Sequence, residues 1–208
     1  GRCFEIMVED GSLEVLKLLS SVSSEIAQGE ILQLQHEKEV ETLEKTYLEI
    51  IGSKTSSLFA ASMRVGGCIN DKSKNEKEAL TSFGFNLGIC FQITDDILDY
   101  YSDKIAFGKV IGNDFYEGKV TLPTIMLYQK SSDIERLALK KMFTRKERTK
   151  EELAYTLNLM TKYQVIASCK KRAEHFSSVS ADSLGIFPES KEKTRLQELA
   201  FYIVNRIN

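Results

Sequence analysis

The amino-acid sequence predicts an all-α protein. Only 2 prolines and 12 glycines occur in 208 residues, and an all-β fold needs more turn residues than that. Apolar residues instead recur every three to four positions, which is the period of an amphipathic helix. With 42% hydrophobic and 28% charged residues, the composition is that of a folded globular chain, so collagen-like and disordered classes are excluded.

Two helices are predicted in the first third of the chain. The first runs from about Ser12 to Gln35, with a bend expected at Gly29. The second runs from about Glu41 to Val65, and the pair Gly66-Gly67 is expected to end it. Lys54 lies on the apolar stripe of this second helix. A lysine that extends past the apolar surface to water and a lysine directed at a phosphate both fit that position.

The third predicted helix begins after Asn75 and ends near Tyr101. It is apolar on most sides, so we expect it to be central and buried. A loop of about twenty residues follows, from Ser102 to Leu122, and loops of this length tend to be functional. The remaining predicted helices run from Thr121-Pro123 to about Tyr128, from Thr149 to about Ser180 with a break near Lys162, and from Pro188 onward. No repeat or linker interrupts the chain, which predicts one helical domain over residues 1–208.

Composition excludes several classes of function. A formal net charge of -2 provides no overall positive field for nucleic acid. No apolar run approaches the roughly 18 residues of a membrane span, so a cytoplasmic or mitochondrial-matrix protein is expected. The four cysteines are widely spaced and are expected to be reduced packing residues. The two histidines, His36 and His175, lack the Glu-x-x-His pattern of di-iron bundles and are too few for most histidine-based sites.

The most informative stretch contains three aspartates. Gln92, Asp95, Asp96 and Asp99 stand at i, i+3, i+4 and i+7, so they share one face of the third predicted helix. Carboxylates this close are costly to desolvate unless a cation neutralises them. Magnesium suits such a face, because it binds one or two carboxylates together with phosphate oxygens and water. The alternative is an exposed helix end that carries solvated charges.

Two further features surround this cluster. Lys109 and Lys119 lie in a glycine-rich segment directly downstream, and such lysines can close over a bound phosphate. Phe85, Gly88 and Ile89 precede the aspartates on the same helix and predict an apolar wall behind a polar mouth. Together they indicate a ligand with an anionic head and a hydrocarbon tail.

In this order, the motifs resemble the C-terminal two-thirds of the trans-type polyprenyl diphosphate synthases. This family joins isopentenyl diphosphate head-to-tail to an allylic diphosphate, and its fold is an antiparallel helix bundle of the isoprenoid synthase type. The segment Gly29 to Leu34 is more similar to the medium- and long-chain synthases, such as octaprenyl diphosphate synthase, that make quinone side chains. The matching motifs are Glu9 to Ser12, Gln28 to Glu30, Gly52 to Thr55, Phe91 to Asp99, Glu117 to Pro123 and Ala200 to Arg206.

The resemblance implies a role for each motif residue. Asp95, Asp96 and Asp99 would form the second aspartate-rich motif and hold Mg²⁺ on the allylic diphosphate. Lys54, Lys109 and Lys119 would bind that diphosphate, and Thr55 and Gln92 would line the reaction centre beside Lys54. Asp114 occupies a position where the family has an acidic residue. A homodimer that is not embedded in a membrane is also implied.

One family feature has no counterpart in this sequence. Family members carry an earlier D-D-x-x-D motif followed by an arginine pair, and Glu9-Asp10 is not that motif. We therefore expect the family's N-terminal helices to lie outside this sequence, and the helices that they would cover to expose apolar faces. The alternative is a non-catalytic or regulatory subunit of a heteromeric synthase, although the intact second motif argues against it.

Overall fold

The computed structural model describes residues 2–100 and 111–207, and every regular element within them is helical. Gly52–Ser56 forms one π-helical turn, and Leu184–Ile186 forms a 3₁₀ turn. The α-helices are α1 (Arg2–Asp10), α2 (Leu13–Gln35), α3 (Glu44–Ile51), α4 (Ser57–Ile69), α5 (Lys74–Tyr100), α6 (Asn113–Glu117), α7 (Leu122–Lys130), α8 (Asp133–Thr144), α9 (Lys150–Lys162), α10 (Val165–Ser183) and α11 (Lys191–Asn205). The predicted all-α fold class is confirmed.

Helix α5 is the centre of the bundle, as predicted. It packs most extensively against α4 and α10, and its Phe83, Cys90, Ile93 and Ile97 are fully buried. A Cβ atom at Gly88 would lie 2.6 Å from the Cα of Ser56. Only glycine therefore allows α5 to lie this close to the π-helical turn, and this contact fixes the end of α5 that carries the aspartates.

The predicted second helix differs in detail from the structure. It begins at Glu44 as α3, passes through the π-helical turn and continues as α4 to Ile69, beyond Gly66-Gly67. The glycine pair does not end it, because Gly67 packs closely against α5, where a Cβ atom would lie 3.1 Å from Leu80. A π-helical turn holds one residue more than an α-helical turn. The apolar stripe is therefore displaced, and Leu58 is 49% exposed although Ile50 is buried.

Four other helices differ from the sequence-based expectations. Helix α2 runs uninterrupted through Gly29, where the absence of a side chain allows close packing. A Cβ atom there would lie 2.6 Å from the backbone nitrogen of Lys54. No helix was expected at α1, α6 or α8, and α6 lies within the segment predicted to be a loop. Helix α8 begins with a capping box, in which the Ser132 backbone N–H donates to Glu135 (2.8 Å).

The break near Lys162 is confirmed. Helix α9 ends there and α10 begins at Val165, with Gln164 between them in the left-handed conformation at φ +50°. Apolar side chains on α1 are exposed, and Phe4, Ile6 and Val8 are each more than half exposed. Within the described ranges, no helix combines the length and apolar character that crossing a bilayer requires.

Candidate active site

A polar cleft opens where the end of α2, helices α3 and α5, the π-helical turn and the segment before α7 meet. Its volume is about 200 Å³. The lining residues are Gln33, His36, Glu37, Thr42, Tyr47, Ile50, Ile51, Lys54, Thr55, Gln92, Asp95, Asp96, Asp114, Lys119, Val120 and Thr121. Most of the residues singled out in the sequence therefore converge on one place.

The three aspartates of the cluster have different surroundings. Asp95 is exposed in the cleft, whereas Asp96 is only 4% exposed. The Asp99 carboxylate accepts a hydrogen bond from the backbone N–H of Asp114 (3.0 Å). Across residues 2–100 and 111–207, no three His, Cys, Asp or Glu side chains are close enough together to enclose a metal ion. The shared metal site of Asp95, Asp96 and Asp99 thus stays a prediction, but hard carboxylate oxygens facing a cleft suit a magnesium ion that takes its other ligands from phosphate and water.

Asp96 belongs to a buried chain of hydrogen bonds. The Tyr47 hydroxyl donates to its Oδ2 (2.7 Å), and the Gln92 side-chain amide donates to its Oδ1 (2.8 Å). The Thr55 hydroxyl in turn donates to the side-chain carbonyl oxygen of Gln92 (Oε1, 3.0 Å). Burial raises the pKa of Asp96 to about 7, and the hydrogen bonds from Tyr47 and Gln92 oppose that rise. Burial also raises the pKa of Tyr47 well above its ordinary value, so its hydroxyl remains protonated.

Both described lysines of the cleft are paired with carboxylates. The Lys54 Nζ lies 2.6 Å from Glu30 Oε2 and 2.5 Å from the side-chain oxygen of Gln33, both on α2. The Lys119 Nζ lies 2.6 Å from Glu117 Oε2 and 3.5 Å from Asp114 Oδ1. Its hydrogen bond with Glu117 raises the pKa of Lys119. These contacts hold two cations at the cleft, each of which an anionic ligand can draw from its carboxylate partner.

The turn that carries Lys119 is supported from behind by a buried arginine. Arg148 is 7% exposed, and its guanidinium donates to the backbone oxygens of Tyr116 (3.1 Å) and Phe143 (2.8 Å). Gly118 has φ +79°, and a Cβ atom there would lie 2.5 Å from Arg148 Nη2. Glycine is therefore required both for the conformation and for the contact.

The structure brings six of the predicted site residues to the cleft, namely Lys54, Thr55, Gln92, Asp95, Asp96 and Lys119. Asp99 does not line the cleft but contacts Asp114, which does. Lys109 lies outside the described residues.

The sequence analysis missed the site roles of Tyr47, Glu30 and Gln33. It placed Tyr47 on an apolar stripe, where the one available signal was that a buried tyrosine hydroxyl needs a partner. The predicted apolar wall is present in part. Phe85 and Ile89 line a neighbouring groove of about 670 Å³ with Phe176, whereas Gly88 packs against Ser56.

Comparison with known proteins finds a family match. Residues 1–160 match the model of the polyprenyl synthetase family. The chain is 30% identical over 205 residues to octaprenyl diphosphate synthase of Haemophilus influenzae, and 34% identical over 206 residues to all-trans-nonaprenyl-diphosphate synthase (geranyl-diphosphate specific) of Rhodobacter capsulatus. In each case the alignment covers 99% of this chain and 62% of the relative.

Solved structures agree with this match. A decaprenyl diphosphate synthase from Rhodobacter capsulatus superposes with a TM-score of 0.93 at 33% identity, covering 100% of this chain and 64% of that one. A polyprenyl synthase from Caulobacter crescentus, solved in complex with calcium and isoprenyl diphosphate, superposes with a TM-score of 0.94 at 34% identity. The match covers 100% of this chain and 63% of that one. The chain thus spans somewhat less than two thirds of these relatives.

Proposed function

Because this chain belongs to the polyprenyl synthetase family, we propose that it acts in magnesium-dependent prenyl transfer. In this reaction an allylic diphosphate is extended with isopentenyl diphosphate to a medium- or long-chain all-trans polyprenyl diphosphate, a precursor of quinone side chains. The observation that carries the proposal is the cleft itself, in which Lys54 and Lys119 lie beside Asp95, Gln92 and Thr55. The matched octaprenyl and nonaprenyl synthases support the longer product range.

Lys54 and Lys119 would bind the allylic diphosphate by exchanging Glu30 and Glu117 for phosphate oxygens. Lys109, outside the described residues, would be a third ligand by its place in the sequence. The C–O bond to the diphosphate breaks, the alkene of isopentenyl diphosphate attacks the allylic cation, and a proton leaves, with pyrophosphate as its acceptor. The lysines stabilise the negative charge that develops on the departing pyrophosphate.

The aspartate cluster is the proposed magnesium site. Asp95 presents an exposed carboxylate to the cleft, and Asp99 and the buried Asp96 complete the motif. When bound, magnesium supplies charge neutralisation at the diphosphate oxygens. Calcium together with isoprenyl diphosphate in the Caulobacter crescentus relative supports a divalent cation in this family. We further propose a homodimer, a single helical domain over residues 1–208, and a cytoplasmic or mitochondrial-matrix location.

The test is a prenyl-transfer assay with radiolabelled isopentenyl diphosphate, geranyl diphosphate and magnesium. Asp95→Ala should lower turnover at least about 100-fold, since it removes a carboxylate directed at the metal. Asp133→Ala is the matched control, because the Asp133 side chain on α8 is 97% exposed and remote from the cleft. Equal turnover of the Asp95→Ala and control variants would contradict the proposed metal site. Absence of product from the wild-type full-length protein, with pyrophosphate still bound, would instead favour a non-catalytic subunit.

A further inference from the structure

The hydrogen bonds around Asp96 connect three separate elements of the fold. Tyr47 belongs to α3, Thr55 to the π-helical turn, and Gln92 and Asp96 to α5. Tyr47 and Thr55 do not bond to each other directly; Asp96 and Gln92 link their side chains by hydrogen bonds, in addition to the continuous backbone from α3 into the π-helical turn.

The ionised Asp96 carboxylate determines the orientation of the Gln92 amide. A carboxylate only accepts hydrogen bonds, so Gln92 has to direct its NH₂ group at Asp96. Its carbonyl oxygen then faces Thr55, which has to use its single hydroxyl proton on that oxygen. The lone pairs of the Thr55 hydroxyl remain to accept hydrogen bonds at the cleft, which Thr55 lines.

Tyr47 in turn holds the carboxylate. Its side chain is 3% exposed, and its hydroxyl donates to the Asp96 oxygen that Gln92 does not use. Asp96 is 4% exposed, so little water can replace a missing donor. Without the Tyr47 hydroxyl, one buried oxygen of the Asp96 carboxylate would have no hydrogen-bond donor. Rotation of the carboxylate away from Gln92 would then lower its free energy.

We propose that Tyr47 is a positioning residue of the reaction centre, which fixes the Gln92 amide and the Thr55 hydroxyl by holding the Asp96 carboxylate in place. The inference deepens the proposed prenyl transfer and rests on it. Tyr47 itself does not contact the reacting atoms in this role, and its effect on the reaction is entirely indirect.

A double-mutant cycle tests the hydrogen-bond chain without any need for turnover. Tyr47→Phe, Thr55→Val and the double variant are unfolded in urea at pH 8. We expect the unfolding equilibrium constant of the double variant to deviate at least about threefold from the product of the single effects. The matched control is a second cycle in which Tyr163→Phe takes the place of Tyr47→Phe. Tyr163 also donates to a carboxylate (Glu135, 2.6 Å) but does not line the cleft, so its cycle should be additive within about twofold. Additivity in both cycles would overturn the proposal.

The kinetic consequence distinguishes positioning from a merely structural role. At pH 8 Tyr47→Phe should lower kcat about tenfold per folded molecule, with KM for geranyl diphosphate within about twofold of wild type. Tyr47 does not bond to Lys54 or Lys119, the proposed diphosphate ligands, or to the exposed Asp95 carboxylate. Tyr163→Phe should leave both constants unchanged. An unaltered kcat for folded Tyr47→Phe protein would overturn the positioning role. If the wild-type full-length protein makes no prenyl product, the proposed function fails while the cycle still decides whether Tyr47 acts on Thr55.

Discussion

Replacing Gly29 by alanine should damage both the stability of the protein and its proposed anion-binding site. Gly29 lies in α2 against the π-helical turn, and an added Cβ atom would lie 2.6 Å from the Lys54 nitrogen and 2.9 Å from the Ser53 Cβ. The Lys54 nitrogen is a backbone atom within a helical turn, so it cannot swing aside as the end of a side chain would. Gly66 on α4 provides the matched control, because a Cβ atom there meets nothing within 4 Å.

The expected magnitudes follow from these distances. Alanine in place of a helical glycine stabilises a helix by about 0.5 to 1 kcal/mol, so Gly66→Ala should raise stability by that amount. Gly29→Ala should gain the same stabilisation of its helix, but it overpacks the contact with the π-helical turn, which costs about 1 to 3 kcal/mol. The two variants should therefore differ in free energy of unfolding by about 1 to 3 kcal/mol. For a protein of this size, that difference corresponds to a gap in Tm of roughly 2 to 12 °C.

Thermal unfolding followed by circular dichroism measures the stability gap. Titration with pyrophosphate and magnesium measures the second effect, since displacement of the π-helical turn moves Lys54. We expect weaker pyrophosphate binding in Gly29→Ala and unchanged binding in Gly66→Ala. A Gly29→Ala variant with the Tm of Gly66→Ala, or a higher one, would refute the argument that the glycine is needed for close packing.

Three further predictions test the electrostatics of the site and of its support. Glu30→Gln removes the anion paired with Lys54 and should tighten pyrophosphate binding roughly two- to fivefold, as measured by calorimetry. Weaker binding would show instead that Glu30 orients the lysine. Arg148→Met leaves two backbone carbonyls without their donor and should lower the free energy of unfolding by about 2 to 4 kcal/mol in urea. Arg136→Met, which removes similar bonds at a more exposed site, should have a smaller effect, and equal losses would contradict the importance of burial. Burial raises the pKa of Asp96 from 3.8 to about 7. The folded protein therefore keeps this proton to higher pH than the unfolded chain does. As the pH rises from about 4 to about 7, the contribution of Asp96 to stability falls. As the pH rises from about 4 to about 7, Asp96→Asn should therefore gain stability relative to wild type, and a relative loss over that interval would contradict the sign.

Much of the fold could be predicted from local patterns. The 3.6-residue period of apolar residues indicated α2 and α5, and capping residues such as Thr149 marked where helices begin. Helix α8 was missed because its apolar residues do not form one buried stripe: Leu139 and Phe143 are buried, whereas Ile134 and Leu137 are exposed. The site residues Lys54 and Asp95 were found because a charge on an apolar stripe and a run of carboxylates on one helix are both visible in sequence.

The sequence by itself determined that the chain is helical and which family it resembles, and it singled out the carboxylates and lysines that the structure brings to one cleft. Only the tertiary structure decided the partners of those residues. Tyr47 and Asp96 are 49 positions apart. Helical periodicity indicates which face of a helix is buried, but it does not identify the residues that pack against that face. The π-helical turn at Gly52–Ser56 contains one extra residue, and this changes which of the following side chains face inward. That turn is held in place by Gly29 and Gly88 on two other helices, so tertiary packing determines where Thr55 and Lys54 point.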